Sequence, residues 1–303
     1  MRPSNNKILF IVLIVLAGGF VLTRVFRTPA LERNIHETLL TLDTSEVNAI
    51  HVAPAIQEKM QIRLIRSGND WQVQMDERNA HSEKSVVQNV LGSLASIHAD
   101  RVLTRKKEKW NSYHVDTTGT HVKVFVGEDE VKEFWLGKME GGKTCIRIEG
   151  ESDVYAIEEM LEGKFNKTFN EWRDRTLLNV KPENISKITL QYPGDSSFII
   201  HRSSGRWEID NAKADSSNVQ NYLNRFKSRE LRDFADDFTP PGQPSYTVIL
   251  QGDSTNVITV KGWKVQDDRW VLNSNQQADV YFSSDTSLVR DLFVGKKWFL
   301  SKR

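Results

Sequence analysis

The chain is poor in the residue types that announce a reaction. A single cysteine, Cys145, stands among 303 residues, so an intramolecular disulfide and a thiolate metal cluster are both excluded. A lone cysteine of this kind reads as a small buried apolar residue. The seven histidines show no metal-binding spacing. His114 and His121 are the closest pair, without an H-E-x-x-H pattern or cysteine partners. No G-x-S-x-G nucleophile elbow occurs. Net charge is nearly absent too, +1 from 41 basic and 40 acidic side chains, which leaves no global field to draw in nucleic acid. The chain is therefore expected to be non-enzymatic, with no cofactor and no metal.

What is present begins with one long apolar run. Ile8 to Leu22 carries no charge and lies between Arg2 and Lys7 on one side and Arg24 and Arg27 on the other. From Lys7 to Phe26, about 20 residues can cross ~30 Å of hydrocarbon while the flanking cations snorkel. A cleaved signal peptide is the alternative, since Ala17-Gly18-Gly19 supplies small residues. The apolar stretch continues past them through Phe20, Val21 and Leu22, which favours an uncleaved anchor. Leu16-Ala17-Gly18 also looks like the start of a lipoprotein signal, but Gly19 stands where the lipidated cysteine would be. Residues 1–27 are expected as a short cytoplasmic tail and transmembrane signal anchor in the inner membrane, with the bulk of the chain outside. Residues 28–43 are expected as a connector, where Leu31, Ile35, Leu39 and Leu40 suit a short helix.

Behind the anchor the sequence is written twice. Ile62, Leu64, Arg66, Ser67, Trp71 and Val73 return as Phe198, Ile200, Arg202, Ser203, Trp207 and Ile209 at a constant offset of 136. Asp153-Val154-Tyr155 and Trp172 return as Asp279-Val280-Tyr281 and Trp298 at an offset of 126. Each copy opens with strand-period alternation around a turn. It then switches to helical period, with Val87, Val90, Leu91 and Leu94 answered by Val219, Tyr222, Leu223 and Phe226. Ser82 is a plausible N-cap in the first copy, and Asp215 or Ser216 in the second. Further strands follow, then closing helices over Ile157–Trp172 and Asp285–Trp298. The expected class is α+β, mainly antiparallel sheet with packed helices, in two tandem repeats over 44–178 and 179–303. Pro240-Pro241-Gly242-Gln243-Pro244 falls inside the second repeat, where the first has Tyr113 to Gly119, and reads as a surface loop.

Gly137-Lys138-Met139-Glu140-Gly141-Gly142-Lys143-Thr144 fits G-x-x-x-x-G-K-[ST], the loop whose backbone N–H groups cradle phosphates. Such a loop must run into a helix whose N-terminus faces the anion. Here Cys145-Ile146-Arg147-Ile148 alternates as a strand does, and the second repeat lacks the motif, so a Gly-rich hairpin is expected. Trp71 and Trp207, each following a turn on an alternating strand, are expected as core residues. One difference between the repeats stands out. After its helix the first has Arg101, Arg105, Lys106, Lys107 and Lys109, whereas the second has Asp233, Asp236 and Asp237. These are either solvated faces or a charge-complementary contact, between the repeats or with a partner. The five basic residues are the candidate partner-binding site.

Each repeat carries Arg-Ser followed by a turn glycine and Trp. The first adds Ala99-Asp100-Arg101-Val102-Leu103, Tyr113-x-Val115-Asp116, Leu136-Gly137-Lys138 and Asp153-Val154-Tyr155, and ends in Trp172-Arg173-Asp174-Arg175-Thr176-Leu177-Leu178. Together these resemble the bacterial family called domain of unknown function 4340, over nearly everything after the anchor. The second repeat lacks Tyr-x-Val-Asp and the Leu-Gly-Lys spelling. The resemblance implies a membrane-tethered accessory of an ABC exporter of the gliding-motility type, with an ABC permease or associated subunits as partners and no catalytic residues to carry over. The alternatives are a P-loop-like nucleotide-binding enzyme using Gly137–Thr144, or a tethered module that binds a cell-wall polymer or small ligand.

Overall fold

Strand periodicity dominates the molecule. The computed structural model describes Leu16 and residues 33–57, 60–210, 212–252 and 255–300, which divide into two units between Arg173 and Asp174. Apart from Leu16, the apolar run Ile8–Leu22 lies outside the described residues. Among those described, no helix is long and apolar enough to cross a membrane.

The first unit begins with β1 (Arg33–Thr41), β2 (Val47–Ala53), β3 (Ile62–Ser67), β4 (Asp70–Met75) and β5 (Arg78–His81). After helix α1 (Lys84–Leu94) come β6 (Ser96–Thr104), the short helix α2 (Trp110–Tyr113) and β7 (Thr120–Val126). The strands β8 (Asp129–Glu140), β9 (Lys143–Ile148) and β10 (Val154–Ile157) complete one ten-stranded sheet. Its order is β1-β6-β10-β9-β8-β7-β2-β3-β4-β5, with antiparallel neighbours. Alternate residues point to one face, and Ile50, Val52, Ile62, Leu64, Val122, Val124, Phe134 and Leu136 are buried there. Val87, Val90 and Leu94 of α1 close that core, each full burial contributing about 1.5–3 kcal/mol. The N-cap is Glu83, which accepts from the Ser85 amide at 3.3 Å. Ser82, the expected cap, instead donates its hydroxyl to the Trp71 carbonyl at 2.8 Å.

Two expected helices take other forms in this unit. Residues Arg33–Thr41, within the expected connector, are the edge strand β1. A strand partner on β6 decides the matter, as Leu40 pairs with Ile97 and both are buried. The expected helix Ile157–Trp172 is two short helices, α3 (Glu162–Phe165) and α4 (Phe169–Trp172). Thr168 starts the second afresh, its amide donating to the Glu171 carboxylate at 2.8 Å in a capping box. Leu161, Phe165, Phe169 and Trp172 are buried as the apolar stripe requires, while Met160 is exposed.

The second unit contains β11 (Thr176–Asn179), β12 (Lys187–Gln191), β13 (Phe198–Ser203), β14 (Arg206–Ile209) and β15 (Ala212–Lys213). Helix α5 (Ser216–Asn224) is followed by β16 (Ser228–Glu230), β17 (Tyr246–Gly252), β18 (Thr255–Gln266), β19 (Arg269–Ser274) and β20 (Gln277–Asp285). Helix α6 (Thr286–Leu292) follows β20, and a 3-10 turn over Lys296–Phe299 comes after it. The sheet order β15-β14-β13-β12-β17-β18-β19-β20 repeats, strand for strand, the order β5-β4-β3-β2-β7-β8-β9-β10 of the first unit. The difference lies at one edge. In the first unit β6 pairs with both β1 and β10, whereas in the second β16 pairs with β11 in a separate two-stranded sheet. Asp215 caps α5, accepting from the Ser217 and Asn218 amides. Helix α6 is shorter than the expected Asp285–Trp298, because Asp285 is its cap and the backbone leaves helical geometry at Phe293. Both units are α+β with antiparallel sheets and few helices.

The repeated Arg-Ser-turn-Trp pattern is a hairpin in which arginine and tryptophan face each other across the strands. Arg66 pairs with Trp71 and Arg202 with Trp207. The guanidiniums lie 5.2 and 6.0 Å from the ring centroids. Both tryptophans are buried in the cores.

Candidate interaction surfaces

The phosphate-loop pattern of Gly137–Thr144 is spent on a hairpin. Strand β8 runs to Glu140, the turn is Gly141-Gly142, and Glu140 pairs with Lys143 at the start of β9. The turn glycines have φ of 58° and 81°, the left-handed backbone of a two-residue hairpin turn. A strand follows, so the loop does not run into a helix. The Lys143 ammonium lies 2.9 Å from Asp100 and 3.3 Å from Glu158. The Thr144 hydroxyl donates to the Glu159 carbonyl at 2.8 Å and accepts from the Leu161 amide at 3.1 Å. Gly137 has a separate reason to be glycine. A Cβ there would stand 1.9 Å from the Tyr113 carbonyl oxygen. At Gly119 a Cβ would stand 1.9 Å from the carbonyl oxygen of His114, itself held at φ 55°. Tyr113-x-Val115-Asp116 and Leu136-Gly137-Lys138 are thus two sides of one close backbone contact.

That contact belongs to a second, smaller layer on the face of the first sheet away from the main core. Val115, Cys145 and Val154 are buried in it, with Leu103, Trp110, Tyr113 and Trp135 around them. Burial pushes the Cys145 thiol up to about 11. Arg147, only 3 % exposed, is its polar centre. Its guanidinium carbon lies 4.0 Å from the Trp110 ring centroid and 5.6 Å from that of Trp135. Its Nε donates to the Val115 carbonyl at 2.9 Å, and Nη2 lies 2.9 Å from a Glu149 oxygen. Trp135 Nε1 donates to the same Glu149 oxygen at 2.7 Å, and Trp110 Nε1 to the Ser152 carbonyl at 3.0 Å. Burial pushes the Glu149 carboxyl upward, but the bonds from Trp135 and Arg147 outweigh it and leave it below the usual range. His121 stacks on Trp135 with centroids 4.0 Å apart and reaches Glu133 at 2.7 Å. Sequence reasoning missed this layer. Trp110 and Trp135, which have no tryptophan counterparts in the second repeat, were the available signal.

The five basic residues sit where β6 gives way to α2, in different surroundings. Arg101 is half-buried on β6. Arg105 pairs with Asp153 at 3.3 Å. Lys106, Lys107 and Lys109 are exposed around the 3-10 turn Lys107–Lys109. Lys107 Nζ lies 5.5 Å from the Trp110 ring centroid. The structure therefore brings three lysines to solvent on a corner whose next residue, Trp110, is clamped by Arg147.

In the second unit, Asp233, Asp236 and Asp237 line an open cleft of about 580 Å3 with Asp268, Arg269 and Asp285. Phe234 bridges to Phe282 on β20 and holds the segment against the sheet edge. Bonds from the Ser287 hydroxyl and the Leu288 amide hold the capping Asp285 carboxyl below its ordinary range. Among the described residues no group of three His, Cys, Asp or Glu side chains is placed to hold a metal ion. The Pro240–Pro244 loop lies over the next part of the sheet, where Trp263 Nε1 donates to the Gly242 carbonyl at 3.1 Å.

No curated protein and no solved structure matches this chain. A family model does match, over residues 73–248, from β4 in the first unit to β17 in the second. That match covers more than half of the 303 residues and includes both halves of the Tyr113–Gly137 contact. The chain belongs to the family described as domain of unknown function DUF4340.

Proposed function

We propose that the protein is a membrane-anchored, non-enzymatic accessory or scaffolding component of an ABC-type transport complex in a bacterial envelope. The apolar run Ile8–Leu22 between basic flanks supports the anchor. The resemblance of the motif residues supports the association with a transporter. One structural observation carries the scaffolding role: Lys106, Lys107 and Lys109 are exposed on a corner braced by the Trp110–Arg147 stack. Lysines on a fixed backbone offer a partner a preformed cationic surface, which raises encounter rates and sets orientation. The test is affinity purification of the full chain from solubilised membranes, followed by mass spectrometry. Transporter permease or ATPase subunits should be recovered with the native chain and depleted with Lys106→Glu/Lys107→Glu. Recovery of no transporter subunit would overturn the reading.

The cleft of about 580 Å3 in the second unit favours a second reading, a tethered module for a cationic ligand or polymer. Retention of such a ligand by the purified chain, lost in Asp236→Asn/Asp237→Asn, would favour it over the first.

A further inference from the structure

The outward face of the first sheet carries a row of basic side chains that is only partly neutralised. Arg63, His51 and Lys123 stand opposite one another on β3, β2 and β7. Their neighbours Leu64, Ile50, Val52, Val122 and Val124 are buried in the main core, so strand alternation turns the three outward. They are half-buried there. Arg63 and Lys123 flank His51 on strands about 5 Å apart, so a charge on the imidazole would work against the sheet. Burial first, then Arg63 and Lys123, hold the His51 imidazole below its ordinary range. On β8, Glu130 and Glu133 answer Lys123 at 2.9 and 3.2 Å. No acceptor among the described residues meets the Arg63 guanidinium.

Two residues along the same strands runs an apolar row. Ile65, Ala49 and Phe125 stand opposite one another and are half-buried. The Phe125 ring lies 4.5 Å from that of His51, so the two rows touch. We propose that this face binds a peptide segment of a partner protein in which a stripe of carboxylates runs beside a stripe of apolar side chains. A free oxyanion would use the cations and leave the apolar row wet. An anionic bilayer would meet Glu130 and Glu133 at the end of the same row. A segment with both stripes satisfies both rows at once, and supplies the carboxylate that Arg63 lacks. Strands β8, β9 and β10 lie between β7 and β6, so this surface is distinct from the lysine corner and independent of the transport reading.

The probe is the helical peptide (Glu-Ala-Gln-Leu)4, whose Glu and Leu stripes lie side by side on one helix face, titrated into the full chain in detergent micelles. Histidine Cε1–H signals are followed by NMR, with His51 assigned through His51→Gln. Binding should shift the His51 signal saturably and raise its pKa, because a carboxylate then stands among its cationic neighbours. Arg63→Gln should weaken binding by about tenfold. Arg206→Gln, on an exposed hairpin of the second unit, should leave it unchanged. An unmoved His51, or equal weakening by Arg206→Gln, would overturn the proposal. So would the same His51 response to inorganic phosphate or to phosphatidylglycerol vesicles.

Discussion

The carbonyl oxygen of Tyr113 sits where a side chain on Gly137 would begin, 1.9 Å from the position of its Cβ. The clash is with backbone, which cannot swing aside as a flexible side chain would. Gly137→Ala should therefore destabilise the first unit by at least about 1–3 kcal/mol. Gly142→Ala meets no atom and carries only the strain of its φ of 81°, about 1–2 kcal/mol. Chemical denaturation of the two variants separates a packing requirement from a turn requirement. Equal losses would mean that the Tyr113 segment gives way freely.

Arg147 is the next point of stress. Arg147→Ala removes the stack on Trp110 and leaves the Val115 carbonyl without its donor, a loss of about 2–4 kcal/mol. Arg147→Lys should recover little of it, because an ammonium cannot donate to Val115 and Glu149 while lying flat on the ring. Urea denaturation gives the stability, and near-ultraviolet circular dichroism reports on Trp110 and Trp135.

Glu149 gives that layer an acid limit. Its carboxyl titrates below the ordinary range in the folded chain, and an unfolded glutamate titrates at about 4.3. The folded state then binds fewer protons, so the stability Glu149 contributes is present above about pH 4.3 and lost as pH falls through the folded value. Denaturation midpoints between pH 7 and pH 3 should decline more steeply in the native chain than in Glu149→Gln.

Cys145 should resist alkylation. Its thiol is buried and pushed up to about 11, so the thiolate that attacks an electrophile is scarce at pH 8. Iodoacetamide labelling followed by mass should be slow in the native chain and rapid in urea. In Gly137→Ala it should accelerate, since Gly137 pairs with Cys145 across β8 and β9.

The Asp215 cap separates a strong helix start from a weak one. Asp215→Ala deprives the Ser217 and Asn218 amides of an acceptor and should cost about 1 kcal/mol. Glu83→Ala, which removes a single backbone contact at 3.3 Å, should cost less. Thermal unfolding of the two variants ranks them.

What the sequence disclosed follows the range of each interaction. The alternation at Trp71, Val73 and Met75 and the helical stripe at Val87, Val90, Leu91 and Leu94 report burial of neighbours a few residues apart, and the structure buries all of them except Leu91, which is half-buried. The turn at Gly141-Gly142 was legible because β-branched alternation resumed after it. The break at Thr168 was written as Thr-x-x-Glu, a local capping signal that the continuous apolar stripe outweighed. Strand β1 takes its conformation from a partner more than fifty residues away, which local spacing does not report. The layer around Arg147 leaves only the two unmatched tryptophans, Trp110 and Trp135, as a trace in the sequence, for the same reason. It forms only when Trp110 and Val115 fold back onto strands that follow them in the chain. The cationic row is likewise a product of register: Arg63, His51 and Lys123 are scattered in sequence and aligned only by the pairing of β3, β2 and β7.

The strand order fixes the sequence of events as the chain is made. At the middle of the first sheet β2 pairs with β7, and every pairing of that sheet closes between Arg33 and Ile157. The second sheet draws its strands only from residues beyond Thr176. Strands β2 to β5 can pair as local hairpins when they emerge, but the other edge of β2 must wait for β7, a slow step dominated by a non-local contact. Once Ile157 has emerged, every strand of the first sheet is present, and that sheet can close before the second exists in full.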